Sequence, residues 1–373
     1  MGRRPFLAAA GATGIGVLAG CLDGGELTGG GSVAEAEPLG SPVDSTAVTW
    51  DQLGDLEGEL TIYSGRTRDQ IEPVFDALEE TYPDLSISID WGENDVQVNQ
   101  LVQEGDATPA DLMYSQDPGA LNELVENDLL QALPADVVEA VRGSWRDPDG
   151  LWTGVTGRVR AIQYNADRWE GGADALPTDI MAYATDDRFQ GIISTRPNSG
   201  TFRGFIQAMV EIEGESATRE WVRAMVEDQD VQTFASGSDQ AEAVNRGGDG
   251  DPIVALGNQY YAARIVAADP EAPIRVAFTE DDAGCLFSVA GVGVTNTAED
   301  PELVAEFVRH LLAAEGQEFM MAANGEYPVV DGVDYVGPLP DLEALNPPDF
   351  DLSSFDMDLR SANQLLEEEG LTV

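Results

Sequence analysis

Apolar and polar positions along this chain switch repeatedly between a period of two and a period near 3.6, and the switching predicts the fold class. Leu60-Thr61-Ile62-Tyr63 reads as a strand, Ser64-Gly65-Arg66-Thr67 as a tight turn, and Ile71, Val74, Phe75 and Leu78 then recur at helical spacing. Leu85-Ser86-Ile87-Ser88-Ile89 alternates as the next strand. That is a βαβ unit, and it implies a parallel sheet. A helix over 96–104, a strand over 111–114 and a helix over 118–125 follow. The alternation continues through segments at 159–164, 191–194, 202–210, 252–256, 259–267 and 274–278. A long helix over 301–323 and a terminal helix near 361–369 close the chain. No internal repeat is visible. The predicted class is α/β, built from open sheets that bind ligands beyond the carboxyl ends of their strands.

The first residues break this pattern. Arg3 and Arg4 precede an apolar run from Phe6 to Leu18, which ends on Leu18-Ala19-Gly20-Cys21. The run is too short for a membrane span, which needs about 20 residues. Twin arginines, a short apolar core and small residues before a cysteine read as a twin-arginine lipoprotein signal over 1–20. Cys21 would then begin the mature chain, carry lipid and hold it on the outer face of the cytoplasmic membrane. The competing reading is a chance apolar start with an ordinary cysteine. The Gly-, Ser- and Glu-rich stretch from Leu22 to about Thr49 lacks periodicity and reads as a flexible tether. With Cys21 and this linker occupying 21–58, the fold is expected to begin near Glu59.

Roughly 310 residues remain, enough for two lobes at the usual domain size of about 100–200 residues. The formal charge is −50, and all 19 basic residues are arginine. Loss of Arg3 and Arg4 with the signal takes the mature chain to −52. A lysine-free, acidic chain looks like a protein of an extreme halophile, in which concentrated salt screens self-repulsion. The alternative is attraction of a cationic ligand, but the carboxylates are spread along the chain. The charge argues against nucleic acid as a partner. With Cys21 lipidated, Cys285 has no partner for an intrachain disulfide. It falls in Gly284-Cys285-Leu286-Phe287-Ser288-Val289, which reads as a buried strand. His310, the single histidine, sits at the edge of a helical stripe of Leu303, Phe307 and Leu311 and reads as structural.

Candidate chemistry gathers at strand-to-helix junctions. Asn258-Gln259-Tyr260-Tyr261 follows a short apolar strand and opens a helix. Phenolate oxygen is a hard donor suited to a hard trivalent cation, and a bound cation can lower a phenol pKa of about 10 enough to deprotonate it. The competing reading is that both tyrosines merely pack. Arg66 lies in the turn after the first strand, and Arg158 and Arg160 flank the start of another. An arginine there can grip an oxyanion bidentately or simply pair with a surface carboxylate. Arg196-Pro197-Asn198-Ser199-Gly200-Thr201 places small residues at a helix start, where free N–H groups either hold an anion or are capped in the ordinary way. One histidine and one spare cysteine cannot build a Ser–His–Asp or Cys–His set, and neither a P-loop nor a dinucleotide fingerprint is present. The chain is therefore expected not to be an enzyme.

Five motifs in order, Tyr63-Ser64-Gly65-Arg66, Glu104 to Leu112, Thr156-Gly157-Arg158-Val159-Arg160, Asn258-Gln259-Tyr260-Tyr261 and Glu326-Tyr327-Pro328, resemble the ferric-ion-binding proteins of ABC importers. The resemblance runs from about Leu60 to Leu371. It implies a type 2 periplasmic-binding-protein fold, with two α/β lobes, two crossover strands and a hinged cleft. The lobes would comprise 59–158 with 288–338, and 159–287 with 339–373. It further implies Tyr260 and Tyr261 as metal ligands. The anion site carries over to Ser199, Gly200 and Thr201, with Asn258 beside it. Arg66 and Arg158 match positions that hold a synergistic carbonate in some members. There are departures: Thr67 stands where some members have a histidine ligand, Gln116 replaces a glutamate ligand, and Phe202 lies near where others have a third tyrosine. Gln116 and Asp117 remain candidates for a further ligand.

The expected function is therefore a lipid-anchored, monomeric receptor. It would bind Fe3+ with carbonate or phosphate and deliver it to an ABC permease and its ATPase. The alternatives are the same fold holding a phosphonate, a polyamine or another oxyanion, and, more distantly, a surface hydrolase.

Overall fold

The computed structural model describes residues 47–349 and 359–372; the predicted signal and lipidated Cys21 lie outside the described residues. The first part of the chain runs β1 (Gly58–Ser64), α1 (Arg68–Thr81), β2 (Leu85–Trp91), α2 (Asn94–Glu104), β3 (Leu112–Ser115), α3 (Pro118–Glu126), β4 (Leu130–Gln131), α4 (Ala135–Glu139) and β5 (Trp152–Asn165). It continues through β6 (Ile193–Thr195), α5 (Gly200–Glu213), α6 (Glu215–Glu227), β7 (Gln232–Thr233), α7 (Gly237–Arg246), β8 (Val254–Asn258), α8 (Gln259–Ala268) and β9 (Ile274–Ala277). It ends with β10 (Phe287–Thr295), α9 (Pro301–Leu312), α10 (Ala314–Asn324) and α11 (Leu359–Glu368).

The strands lie in the order β2-β1-β3-β10-β5-β8-β6-β7, with β4 beside β10 and β9 beside β5. β1 is parallel to β2 and β3, as the βαβ reading requires. The fold is α/β and two-lobed, and its division is written in the registers of one strand. β5 pairs antiparallel with β10 as far as Val159, opposite Phe287. One residue later, Arg160 stands opposite Asn258 and β5 runs on against β8 and β9. Apolar packing divides at the same place. One core takes residues from Trp50 to Val159 and again from Cys285 to Val329. The other takes residues from Ile162 to Leu286, together with Ala362, Leu365, Leu366 and Leu371.

Several sequence expectations are corrected here. The strand expected at 159–164 is only the second half of β5, whose fourteen residues are all buried. Glycines disguise the first half: a Cβ on Gly157 would stand 2.2 Å from the Phe287 ring, so only glycine allows β10 to approach this closely. The long helix over 301–323 is two helices broken at Ala313, which adopts extended backbone. The segment preceding β1 enters at that break. The Ala314 amide donates to the Val48 carbonyl, the Glu315 carboxylate accepts from the Trp50 amide, and the Trp50 indole donates to the His310 carbonyl. Packed structure therefore starts before Glu59, with Trp50 and Leu56 both buried. Cys285 is buried as expected, but in a single helical turn over Ala283–Cys285, not in a strand.

His310 is fully buried and structural. Its Nδ1 donates to the Glu306 carbonyl at 2.8 Å, which leaves Nε2 to accept from the Tyr82 hydroxyl at 2.9 Å.

Candidate functional site

Where β5 changes partners, three helices begin close together. α5 starts at Gly200 after the turn from β6, α7 at Gly237 after β7, and α8 at Gln259 directly from the end of β8. The first N–H groups of a helix have no partner within it, and the peptide dipoles add positive potential there. Ser199 takes the cap position of α5, yet its hydroxyl does not bond the helix backbone. It lies 2.8 Å from the Thr201 hydroxyl instead. The Asn258 amide joins this turn to the phenols: Nδ2 donates to Thr201 Oγ1 at 3.3 Å and to the Tyr260 hydroxyl at 3.4 Å. Ser199, Thr201, Asn258 and Tyr260 thus form one hydrogen-bonded chain.

The Tyr260 and Tyr261 rings pack with centroids 4.3 Å apart, tilted by 43°, and both side chains are half-buried. The Tyr261 ring rests on the start of α7, where a Cβ on Gly237 would come within 2.4 Å of it. Burial, with Tyr260 alongside, pushes the Tyr261 phenol well above its usual range. It is therefore a protonated phenol at neutral pH unless a cation is supplied. The helix carrying both tyrosines also touches the other lobe. Gln259 accepts from the Val159 amide and donates to the Gly325 carbonyl, while the Arg264 guanidinium donates to the Asn324 carbonyl.

Two adjoining small cavities open beside these groups. Asp117, Arg158, Arg160, Thr201, Asn258 and Ser288 line the first. Arg160, Arg196, Ser199, Thr201, Gly237, Asn258 and Tyr261 are among the residues lining the second. Nine residues singled out in the sequence therefore come together: Asp117, Arg158, Arg160, Arg196, Ser199, Thr201, Asn258, Tyr260 and Tyr261, with Gly200 in the same turn.

The others stand apart. Arg66 lines neither cavity. Its two terminal nitrogens donate to the two carboxylate oxygens of Glu326, each at 2.9 Å, with both residues buried. Burial pushes the Glu326 carboxyl up, but Arg66 beside it outweighs burial and holds it below the usual carboxylate range. The Gln116 side chain donates to the Gly65 carbonyl, and the Gln116 backbone carbonyl accepts from Arg158. Asp117 reaches the cavity while also capping α3 through the Ala120 amide and accepting from Asn94 at 2.6 Å. Thr67 is an exposed helix cap on α1.

Sequence reasoning missed Gly237 and, having noted Arg160 and Arg196, carried neither into the implied anion site. For Arg160 a signal existed: it follows Arg158 by two residues on a strand, so both point to one face. Its guanidinium stacks over the Phe205 and Phe202 rings at 4.5 and 5.4 Å. Among the described residues no carboxylate pairs with it, and burial pulls it down to about 9. It is still a cation at neutral pH. Among the described residues no group of three or more His, Cys, Asp or Glu could hold a metal.

Comparison with known proteins gives the context. The model of the family described as bacterial extracellular solute-binding protein matches residues 107–354. The iron uptake protein A1 of Synechocystis is 27% identical over 298 residues, covering 75% of this chain and 79% of that one. The major ferric iron-binding protein of Neisseria meningitidis serogroup A is 26% identical over 318 residues, covering 84% of this chain and 93% of its own. Among solved structures, iron-bound HitA from Pseudomonas aeruginosa superposes with a TM-score of 0.75 at 24% identity, over 84% of this chain and 99% of that one. That likeness shows a shared fold.

Proposed function

The chain belongs to the bacterial extracellular solute-binding proteins, and from that premise we propose that it captures a ferric ion together with an oxyanion in the cleft between its lobes. The observation that carries this reading is the tyrosine pair at the carboxyl end of β8, linked through Asn258 to the Ser199–Thr201 turn. Tyr260 and Tyr261 supply hard oxygen donors to the metal. The α5 turn, Asn258 and Arg158 hold the anion, which fills further coordination positions. Asp117 is the carboxylate within reach of the same cavity. Arg66 acts indirectly, fixing Glu326 and the first-lobe wall. The lobes hinge where β5 and β10 cross, and closure commits the ligand.

In this reading the protein is a receptor and not an enzyme. It works as a lipid-anchored monomer on the outer face of the cytoplasmic membrane and passes its cargo to an ABC permease driven by an ATPase. Its acidic, lysine-free surface fits work in concentrated salt.

The test is spectroscopic. Ferric ion added to the purified protein should produce a visible tyrosinate charge-transfer band. The band should vanish in Tyr260→Phe/Tyr261→Phe. A wild type without the band, or a double variant that keeps it, sinks the metal assignment.

A second reading has its own support. Thr67 and Gln116 offer no metal ligand and the Phe202 ring is core, so the same cleft could serve an organic oxyanion such as a phosphonate. A polyamine fits poorly, because its ammonium groups would meet Arg158, Arg160 and Arg196. Stabilisation by an organic oxyanion and none by ferric salt, in a thermal-shift panel, would favour this reading.

A further inference from the structure

The residue just before the tyrosine pair is fastened to both lobes. Gln259 is fully buried and lies where β5 exchanges β10 for β8. Alternate amides of a strand face one edge. On this edge of β5 the Gly157 amide donates to the Tyr327 carbonyl at 2.8 Å, and the Val159 amide donates to the Gln259 side-chain oxygen at 3.0 Å. The nitrogen of the same side chain donates to the Gly325 carbonyl at 3.1 Å. Gly325 ends α10 with φ at 68°, a backbone that favours glycine, and a Cβ there would stand 3.0 Å from the Ala263 Cβ. The first turn of α8 therefore rests directly on the end of α10. The preceding carbonyl, that of Asn324, accepts from Arg264 at 3.2 Å. Farther along, α8 belongs to the other lobe, where Ala262 and Val266 pack with Ala255 of β8 and Ile274 of β9. One side chain thus joins the crossover strand, the end of α10 and the helix that carries Tyr260 and Tyr261.

We propose that Gln259 is the positioning residue of the tyrosine pair: by fastening the start of α8 to β5 and α10 it holds both phenols at the pivot between the lobes, in one geometry toward the ligand. The inference rests on the reading of Tyr260 and Tyr261 as ligand-site residues. Gln259 itself lines neither cavity and acts through the backbone of its neighbour. The competing account is a buried amide that only stabilises the core. Gln317 supplies the control, because it is equally buried and equally well bonded, but within the first lobe alone. It donates to the Val155 and Leu311 carbonyls and accepts from the Val329 amide.

The experiment is fluorine NMR of the full chain labelled with 3-fluorotyrosine, stripped of metal, at constant high potassium chloride. The chain has 9 tyrosines, and Tyr260→Phe and Tyr261→Phe assign the two resonances of interest. Gln259→Met should shift or broaden both while the remaining resonances stay in place. Gln259→Glu keeps the acceptor for Val159 and loses the donor to Gly325, so it should disturb them less. Should Gln259→Met not fold, Gln259→Glu carries the comparison. Gln317→Met should leave both resonances unmoved. With ferric ion added, Gln259→Met should release the metal about tenfold faster than the wild type, as the loss of one hydrogen bond implies. Unmoved Tyr260 and Tyr261 resonances, the same movement in Gln317→Met, or an unchanged release rate where the wild type shows its ferric band would each overturn the proposal. A wild type without that band sinks the metal reading alone, and the metal-free fluorine spectra then decide the role of Gln259.

Discussion

Removing one partner from the Arg66–Glu326 pair should be far more damaging than removing both. The pair is bidentate, with both bonds at 2.9 Å and side-chain exposures of 1% and 3%. Charges about 4 Å apart at an effective dielectric near 20 attract by about 4 kcal/mol. Desolvating each ion costs several kcal/mol, so the intact pair is close to neutral for stability. Glu326→Met strands the Arg66 guanidinium without a carboxylate partner among the described residues, leaving the Tyr114 ring 5.8 Å away. The expected loss is about 3–5 kcal/mol. Arg66→Met leaves Glu326 with Arg158 still acting on it, so the loss should be smaller. Arg66→Met/Glu326→Met should recover most of the deficit.

Urea unfolding at fixed high salt, followed by near- and far-ultraviolet circular dichroism together, reads these values and tests for a single transition. Because the folded Glu326 pKa is depressed, its contribution is full above the unfolded value of about 4.3 and is lost as pH falls through the folded one. The double variant should lack that component of acid sensitivity. Additive single losses, or a Glu326→Met loss below about 1 kcal/mol, would refute the reasoning.

Two other predictions concern packing near and far from the cleft. Gly237→Ala places a Cβ 2.4 Å from the Tyr261 ring, so the phenol must move; the change should cost about 1–3 kcal/mol of stability and weaken or shift the ferric charge-transfer band, and an unaltered spectrum would show that Tyr261 does not depend on this contact. Burial lowers the His310 pKa below its usual 6.5, so the unfolded chain takes up a proton first and stability falls as pH drops from about 6.5 toward the folded pKa. Proton NMR of the single imidazole should show a titration midpoint below 6.5 in the folded protein, and a midpoint at or above 6.5 would contradict the packing described.

How much of this was legible in the sequence depends on what each residue touches. The βαβ start was readable because Ile71, Val74, Phe75 and Leu78 face a single core, and periodicity reports exactly one buried face. The crossover strand was half-hidden, since Gly154 and Gly157 carry no side chain to signal burial and the β5 interior is buried on every side. The α9–α10 break left no trace because its cause, the Val48–Trp50 segment, lies some 260 residues away in sequence. At the site, the tyrosine pair and the Ser-Gly turn were visible as junction residues. The fate of each arginine was not: Arg66 and Arg160 look alike in sequence, yet one is paired with Glu326 and the other, among the described residues, stacks on phenylalanine rings with no carboxylate partner. Only three-dimensional neighbours separate a structural cation from a binding one.

The shared crossover has a consequence for how this polypeptide is made. β3 is complete by Ser115, but its neighbour β10 pairs Leu112 with Val294. A ribosome must therefore emit the whole middle of the chain before the first core can close. The second core waits longer still, for Ala362, Leu365 and Leu366 of α11. Such distant pairings carry a loop-closure cost that must be met before native contacts repay it, which slows folding. The first core cannot close before Val329 has emerged and the second not before α11, so folding should be largely post-translational, and chains stopped before α11 should expose an unfinished apolar face to the cell's proteases.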